Sequence, residues 1–413
     1  MKKQKRLLSF AGVVAAGLLV TACGTSGGGG GTSSNSSSNS SGGNSTASSS
    51  GGGNSPYEIG MLSALTGSGA ASGKLKVDGA QLAINEINAK GGVNGHPLKL
   101  IVEDDQTTNP GTVNAFNKLV SQYPKLTAII GPIRSTEVQA INPNIQQAGV
   151  PVLIGGTDPQ LTHENDPWIF RFRPNDSYSA RTMAYYLIKK LGLKKIAIVH
   201  STDAFGTGGE TYLKKYIAQY GGTVVSDQGY TNHATDYTSI ITALKSANPQ
   251  AVATYFTYGA DLGIFLKQYS QFGMKATIMG SSSISSSDVI HLLGNQLNGD
   301  YGTVDYAYGQ NQASVTFGKA LEKAYPGVIP DNYSSYTYDA VNVLASVLAK
   351  SGTSHKAVQQ GLFGVKGFKG AEGTYNFDKN GDGLHGYTVV KFQGSKPVIL
   401  KSYNFYQSSS SGN

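Results

Sequence analysis

Residues 59–110 read IGMLSALTGSGAASGKLKVDGAQLAINEINAKGGVNGHPLKLIVEDDQTTNP, and this stretch decides the fold. Tyr57–Leu65 is an apolar run of strand length ending in a Gly/Ser turn. Lys74–Asn88 then places Leu75, Leu82, Ala83, Ile84 and Ile87 at helical spacing, and Leu98–Glu103 returns to a strand pattern. Two parallel strands need a crossover of this length, so the stretch is a strand–helix–strand unit.

The same alternation runs outward from it. Thr112–Ser121, Thr136–Ala148, Tyr178–Leu191, Gly209–Tyr220, Tyr237–Ser246 and Leu262–Phe272 have helical patterns. Between them lie strand-like runs at Ala128–Gly131, Pro151–Ile154, Lys195–His200, Thr223–Gln228, Ala251–Tyr255 and Ala276–Met279. Such alternation predicts an α/β fold with parallel sheets covered on both faces. The strands are too many for one sheet and the chain is long for one core, which predicts two doubly wound lobes. Ligands of open α/β sheets sit beyond the carboxyl ends of the strands, so facing lobes would enclose a cleft that can close.

No catalytic constellation accompanies this pattern. Gly67-x-Gly69-x-x-x-Gly73, with Glu103, Asp104 and Asp105 after the next strand, imitates a dinucleotide fingerprint, but its spacing fits a tight strand-to-helix turn instead. DKNGDG at Asp378–Gly383 starts like a calcium loop, yet its twelfth position is Val389, where a bidentate Glu is required. A hairpin turn between Tyr375–Phe377 and Tyr387–Phe392 is expected there. HENDP at His163 lacks the second histidine of a zinc-protease motif, which is replaced by Pro167. The chain reads as a binder rather than an enzyme, with no cofactor or metal implied.

The start of the chain reads as an export leader. Lys2, Lys3, Lys5 and Arg6 precede an apolar run, Leu7–Val20, which is shorter than the roughly 20 residues of a membrane span. LVTAC, ending at Cys23, resembles the lipobox of bacterial lipoproteins, which implies cleavage after residue 22 and lipidation of Cys23. Residues 23–55 are then a lipidated Cys and a Gly/Ser/Asn tether with a reach of about 30 Å as a flexible coil. Cys23 is the only cysteine, so no disulfide is expected. The formal net charge is +8, and four of those charges lie in the leader, which leaves +4 and argues against a nucleic-acid partner. Only 14% of residues are charged, against about 25% in typical domains, a composition suited to an acidic medium.

Several segments, taken together and in order, resemble the leucine/isoleucine/valine-binding proteins, the type I periplasmic-binding-protein fold of ABC importers. They are the opening stretch, IIGPIRSTEVQAINPNIQQAGVPVLIGGTDPQLT from Ile129, WIFRFRPND from Trp168, KKIAIVHSTDAFGTGG from Lys194, DYTSIITALKSANPQAVA from Asp236, FLKQYSQFGM from Phe265 and YTYDAVNVLASVLAKSG from Tyr336. The resemblance implies three crossovers between lobes. Lobe 1 would be residues 56–174 plus 306–370, lobe 2 residues 175–305 plus 371–405, and 406–413 a polar tail. It also implies an extracytoplasmic, membrane-anchored monomer that captures a small amino-acid-type solute for ABC permease subunits. Branched-chain or hydrophobic amino acids are the family default; amine-free carboxylates, aromatic acids or amides are the alternative. The same fold also serves as an extracellular sensing module, whose mark is a downstream membrane and signalling segment.

The resemblance also supplies site residues. Ser135 would hold a ligand carboxylate at the start of a helix, where free N–H groups and the helix dipole favour an anion; it would also suit an N-cap. Gly155 and Thr157 would grip the ligand ammonium and carboxylate. Phe205 and Tyr258 would close over the ligand from the second lobe. Arg134 is placed to meet an extra carboxylate, or to be a solvated loop charge. Two positions depart from the family. Ser72 stands where a tyrosine can cover the side-chain pocket. Ser282, between Ser281 and Ser283, stands where many relatives carry the acid that pairs the ligand ammonium. Either Asp203 or Asp305 replaces that acid, or the ligand has no α-amine.

Overall fold

The computed structural model describes residues 54–163 and 166–406. The leader, Cys23 and the tether up to Gly53 lie outside the described residues, as does the tail after Tyr406. The first sheet is built from β1 (Tyr57–Ser63), α1 (Ala70–Asn88), β2 (Leu98–Asp104), α2 (Asn109–Gln122), β3 (Leu126–Ile130), α3 (Ser135–Ala148), β4 (Val152–Ile154), the short α4 (Gln160–His163) and β5 (Ile169–Arg171). Its order is β2-β1-β3-β4-β5, all parallel.

The second sheet follows from α5 (Asp176–Tyr185), β6 (Lys195–Ser201), α6 (Ala204–Gln219), β7 (Thr223–Tyr230), α7 (Thr238–Ala247), β8 (Ala251–Tyr255), α8 (Gly259–Gln271), β9 (Thr277–Gly280), α9 (Ser287–Leu293) and β10 (Tyr301–Val304). The chain then returns to the first sheet as α10 (Gln312–Ala324), α11 (Asn332–Ser351) and α12 (His355–Phe363), followed by the hairpin β11 (Lys366–Lys369) and β12 (Thr374–Asn376). It ends in β13 (Gly386–Gln393) and β14 (Lys396–Asn404), which extend the second sheet in the order β14-β13-β10-β9-β8-β6-β7. The last two strands are antiparallel additions to a parallel sheet. These are two doubly wound lobes joined by three crossovers.

The central strands of each sheet are buried on both faces, as β3 and β8 are along their whole length, which is why they are largely apolar. On the first, Ile59, Met61, Ala128 and Ile130 pack with Tyr336, Leu344 and Leu348 of α11, while Leu62, Ile129 and Val152 pack with Phe116, Ile141 and Ile145 on the other side. The second sheet divides likewise, Val199 and Val252 facing Ile241 and Phe265, and Ile196, Ile198 and Ala253 facing Met183, Leu213 and Ile217.

Three expectations change. Helix α6 starts at Ala204, five residues before Gly209, because Asp203 caps it by accepting from the Gly206 N–H at 3.0 Å. The expected hairpin across Asp378–Gly383 does not form: β12 pairs with β11, and β13 with β14 and β10. The DKNGDG segment instead lies along β5, with Arg171 N–H donating to the Gly381 carbonyl at 2.8 Å and Gly383 N–H to the Arg171 carbonyl at 3.0 Å. Its Asp382 carboxylate receives the Arg171 guanidinium, and that pairing rather than a local turn fixes the segment. For the same reason the last crossover falls later than residue 370, since Tyr375, Phe377 and Leu384 join the core of the first sheet.

Buried carboxylates set the pH response. Burial pushes Asp176 up to about 7 against an opposing hydrogen bond from Thr157, and pushes Asp300 up to about 7 as well. Between about pH 4 and 7 the folded protein holds these protons while the unfolded chain has released them, so this contribution to stability is lost as the pH rises through that window. A hydrogen bond to Asp382 raises the pKa of His163, which acts in the same sense. Burial would raise Asp382, but the Arg171 guanidinium and hydrogen bonds from His163, Asn175 and Thr162 outweigh it and hold the carboxyl well below the usual range. The contribution of Asp382 is therefore present above about pH 4 and fades only in strongly acidic solution. The expected result is a higher thermal unfolding midpoint at pH 5 than at pH 8, followed by circular dichroism. A midpoint that falls steadily from pH 7 to 5 contradicts it.

Candidate ligand-binding site

The site lies beyond the carboxyl ends of both sheets, where every lining segment follows a strand or opens a helix. From lobe 1 come Ile133, Arg134 and Ser135 after β3, Thr157 after β4 and Arg173 after β5, with Asn332 and Tyr333 from the first turn of α11. From lobe 2 come Phe205 in the first turn of α6, Phe256 and Thr257 after β8, and Ser282 and Ser283 after β9. Together they line one pocket with residues from both lobes.

Ser135 is the first helical residue of α3 rather than its N-cap. The cap position is Arg134, which makes no side-chain capping bond. The Ser135 hydroxyl accepts from the Asp158 N–H at 3.2 Å, which ties the start of α3 to the loop after β4. The first N–H groups of α3 have no partner inside the helix and leave a positive end at the pocket.

Arg134 is buried, not a solvated loop charge. Its Nη1 lies 3.5 Å from Glu137 Oε1, and its guanidinium stands 4.6 Å from the centre of the Tyr258 ring. Burial works against its charge, but Glu137 and the other neighbours outweigh burial and keep it ionised. Its Nε and Nη1 have no hydrogen-bond partner in the protein.

Arg173 ties the crossovers together. Its Nε donates to Asp305 Oδ2 at 2.5 Å, its Nη1 to the Gly155 carbonyl at 3.1 Å and its Nη2 to Ser282 Oγ at 2.8 Å. One side chain leaving β5 thus reaches the loops after β4, β9 and β10. Burial opposes its charge, but Asp305, together with Tyr387 and Glu372, outweighs burial and keeps it ionised.

Of the residues the sequence singled out, Arg134, Ser135, Thr157, Phe205 and Ser282 line the pocket. Gly155 contributes its carbonyl, which is turned to Arg173. Tyr258 stands behind the lining, its ring against Arg134 and, at 4.4 Å, against His233. Ser72 is buried in the first turn of α1, where its hydroxyl donates to the Gly69 carbonyl at 2.9 Å, and it does not line the pocket. Neither alternative acid faces the pocket. Asp305 is paired with Arg173, and Asp203 accepts from Gly206 N–H, Ser201 Oγ, Asn232 Nδ2 and Thr257 Oγ1 at 2.5 to 3.0 Å.

Sequence reading missed Ile133, Arg173, Asn332, Tyr333, Phe256 and Thr257. A signal existed for Arg173: FRFR puts two arginines in an apolar run at a strand end, where a charge needs a partner. Asn332 and Tyr333 had a weaker one in Asp331 and Ser334, which form a capping box at the start of α11.

Two parallel-sheet lobes, three crossovers and a cleft lined from both sides define a solute-binding protein of the type I periplasmic class. The chain belongs to the periplasmic binding protein family, whose model matches residues 56–396. It is 28% identical over 342 residues to the leucine-specific-binding protein of Salmonella typhimurium, covering 81% of this chain and 90% of that protein. It is 27% identical over 330 residues to the leucine-, isoleucine-, valine-, threonine- and alanine-binding protein of Pseudomonas aeruginosa, covering 79% and 86%. The crystal structure of a leucine binding protein from Thermotoga maritima superposes with a TM-score of 0.77 at 22% identity, covering 84% of this chain and 99% of that one. Among the described residues there is no His/Cys/Asp/Glu cluster fit to hold a metal ion, and no helix long and apolar enough to cross a membrane.

Proposed function

We propose that this chain is the solute-capturing subunit of an ABC importer, a monomer outside the cytoplasm held to the membrane through lipidated Cys23. The observation that carries the reading is the pocket itself, lined by Arg134, Ser135 and Thr157 of one lobe and by Phe205, Thr257 and Ser282 of the other. Closure of the lobes on a solute buries it and creates the surface that the permease subunits read. The helix start of α3 and the Arg134 guanidinium suit a carboxylate, and Ile133, Phe205 and Phe256 suit an apolar body. The relatives named above bind leucine and other small amino acids, and the family relationship suggests an amino-acid-type solute here.

Two measurements test this reading. A ligand that binds only the closed form raises the unfolding midpoint in a thermal-shift screen of amino acids and organic acids, by about 2.7 kcal/mol of added stability at a hundred times its Kd. Ligands that bind without contracting the particle in small-angle X-ray scattering argue against closure. For the anchor, Cys23→Ala should move the protein from the membrane fraction to the soluble fraction, because two acyl chains give stable anchoring. Retention of that variant in the membrane fraction rules out the lipid anchor.

A further inference from the structure

We infer that the cleft selects a carboxylate that carries no ammonium group, an organic acid with an apolar body, and that Arg173 makes this choice. The inference rests on the reading of the cleft as the ligand site and narrows the class of solute it takes.

A zwitterionic amino acid asks two things of a dry pocket: donors for its carboxylate, and acceptors, above all a carboxylate, for its ammonium. Among the described residues the lining holds two arginines and neither Asp nor Glu. The acids nearby are committed elsewhere. Asp305 is salt-bridged to Arg173, Asp203 receives donors from four residues, and Glu137 is ion-paired to Arg134 at 3.5 Å. A buried ammonium with no counter-charge is strongly disfavoured.

The second half of the argument is where Arg173 points. Gly155 is one of the two residues the resemblance gives jointly to the ligand's ammonium and carboxylate, and position 282 is where it places the acid that pairs the ammonium. Both accept from Arg173 instead, at 3.1 and 2.8 Å. The protein's own cation thus occupies the place a ligand cation would take. Bonded in this way, the Ser282 hydroxyl keeps its proton free to donate. Arg134 adds Nε and Nη1, buried and with no hydrogen bond from the protein although Nη1 is ion-paired to Glu137, at the wall of the same space. The donors call for an anion, and Ile133, Phe205, Phe256 and Tyr333 supply walls for its apolar part.

The test is calorimetric titration of the full-length protein at pH 7 with matched pairs: leucine against 4-methylpentanoate, and phenylalanine against 3-phenylpropanoate. Each pair differs only in the α-ammonium. The expected result is at least tenfold tighter binding of the acid in one pair or both. Amino acids that bind as tightly as their acids, or more tightly, overturn the inference and leave the solute-binding reading standing. Absence of binding by all four probes, with no contraction in scattering, overturns both. Two variants assign the selectivity to Arg173. Arg173→Met combined with Asp305→Asn removes the ion pair without orphaning either charge, and Ser282→Glu places a carboxylate against the guanidinium. Each should weaken the acid at least tenfold and shift the acid-to-amino-acid ratio toward the amino acid. A ratio that stays constant in whichever variant folds overturns the assignment, because a merely structural role would weaken both ligands equally.

Discussion

Arg171→Met lowers the unfolding free energy by about 3–5 kcal/mol, the range for breaking one side of a buried ion pair. The Arg171 guanidinium is fully buried and uses its whole fork. Its Nε donates to Asp382 Oδ1 at 2.8 Å, Nη1 to the Asp158 carbonyl at 2.6 Å, and Nη2 to the Pro159 carbonyl at 3.1 Å and to Thr162 Oγ1 at 2.7 Å. Removing it strands the Asp382 carboxylate and leaves buried carbonyls without donors. Arg171→Lys should recover little, since one ammonium cannot reproduce a planar fork aimed at four groups. The double variant Arg171→Met/Asp382→Leu should recover much of the loss, because no charge is then left unpaired. The carbonyls that Arg171 holds flank Thr157, so ligand affinity should fall along with stability. Urea unfolding and calorimetry read the two effects. A loss below about 1 kcal/mol in the single variant would show that the cluster does not hold the loop.

Gly79→Ala should destabilise by about 1–3 kcal/mol, the usual cost of overpacking. Gly79 sits where α1 crosses α11, and a Cβ there would stand 2.0 Å from the Ser334 carbonyl oxygen and 2.7 Å from Thr337 Oγ1. The helices approach this closely because the Thr337 hydroxyl donates to the Lys76 carbonyl at 2.7 Å across the crossing. The sign of the effect is diagnostic. In an open helix alanine is more favourable than glycine by about 1 kcal/mol, so loose packing predicts stabilisation instead. The displaced element is the first turn of α11, which carries Asn332 and Tyr333 to the pocket. Ligand affinity should therefore fall more than a change remote from the site would cause. Thermal unfolding and titration of the variant decide between the two packings.

The α/β framework was legible because it is written locally. Runs such as Ile196–Val199 and Ala251–Ala253 are apolar throughout, as strands covered on both faces must be. The amphipathic spacing of Leu75, Leu82 and Ile84 likewise announced α1. Five of the eight residues expected at the site line the pocket, since loops after strands and the starts of helices gather there in this topology. Tyr258 and Ser72 were harder, because an aromatic or a serine next to a pocket looks the same in sequence whether it touches the ligand or a lining residue.

What the sequence determined by itself was periodicity: which segments are strands and helices, their order, and hence two wound lobes with a cleft. That information is local, since burial of a face repeats every two or every 3.6 residues. What only the tertiary structure decided was the partners of charges. Arg171 finds Asp382 across 211 residues, and Arg173 finds Ser282 across 109 and Asp305 across 132. No spacing rule encodes such pairs. They follow from which loops the two sheets bring to one end, and from the high cost of leaving a buried charge alone. The departure at Ser282 was visible as a missing acid, and the fold shows what stands there in its place: a hydroxyl bonded to an arginine from the other lobe.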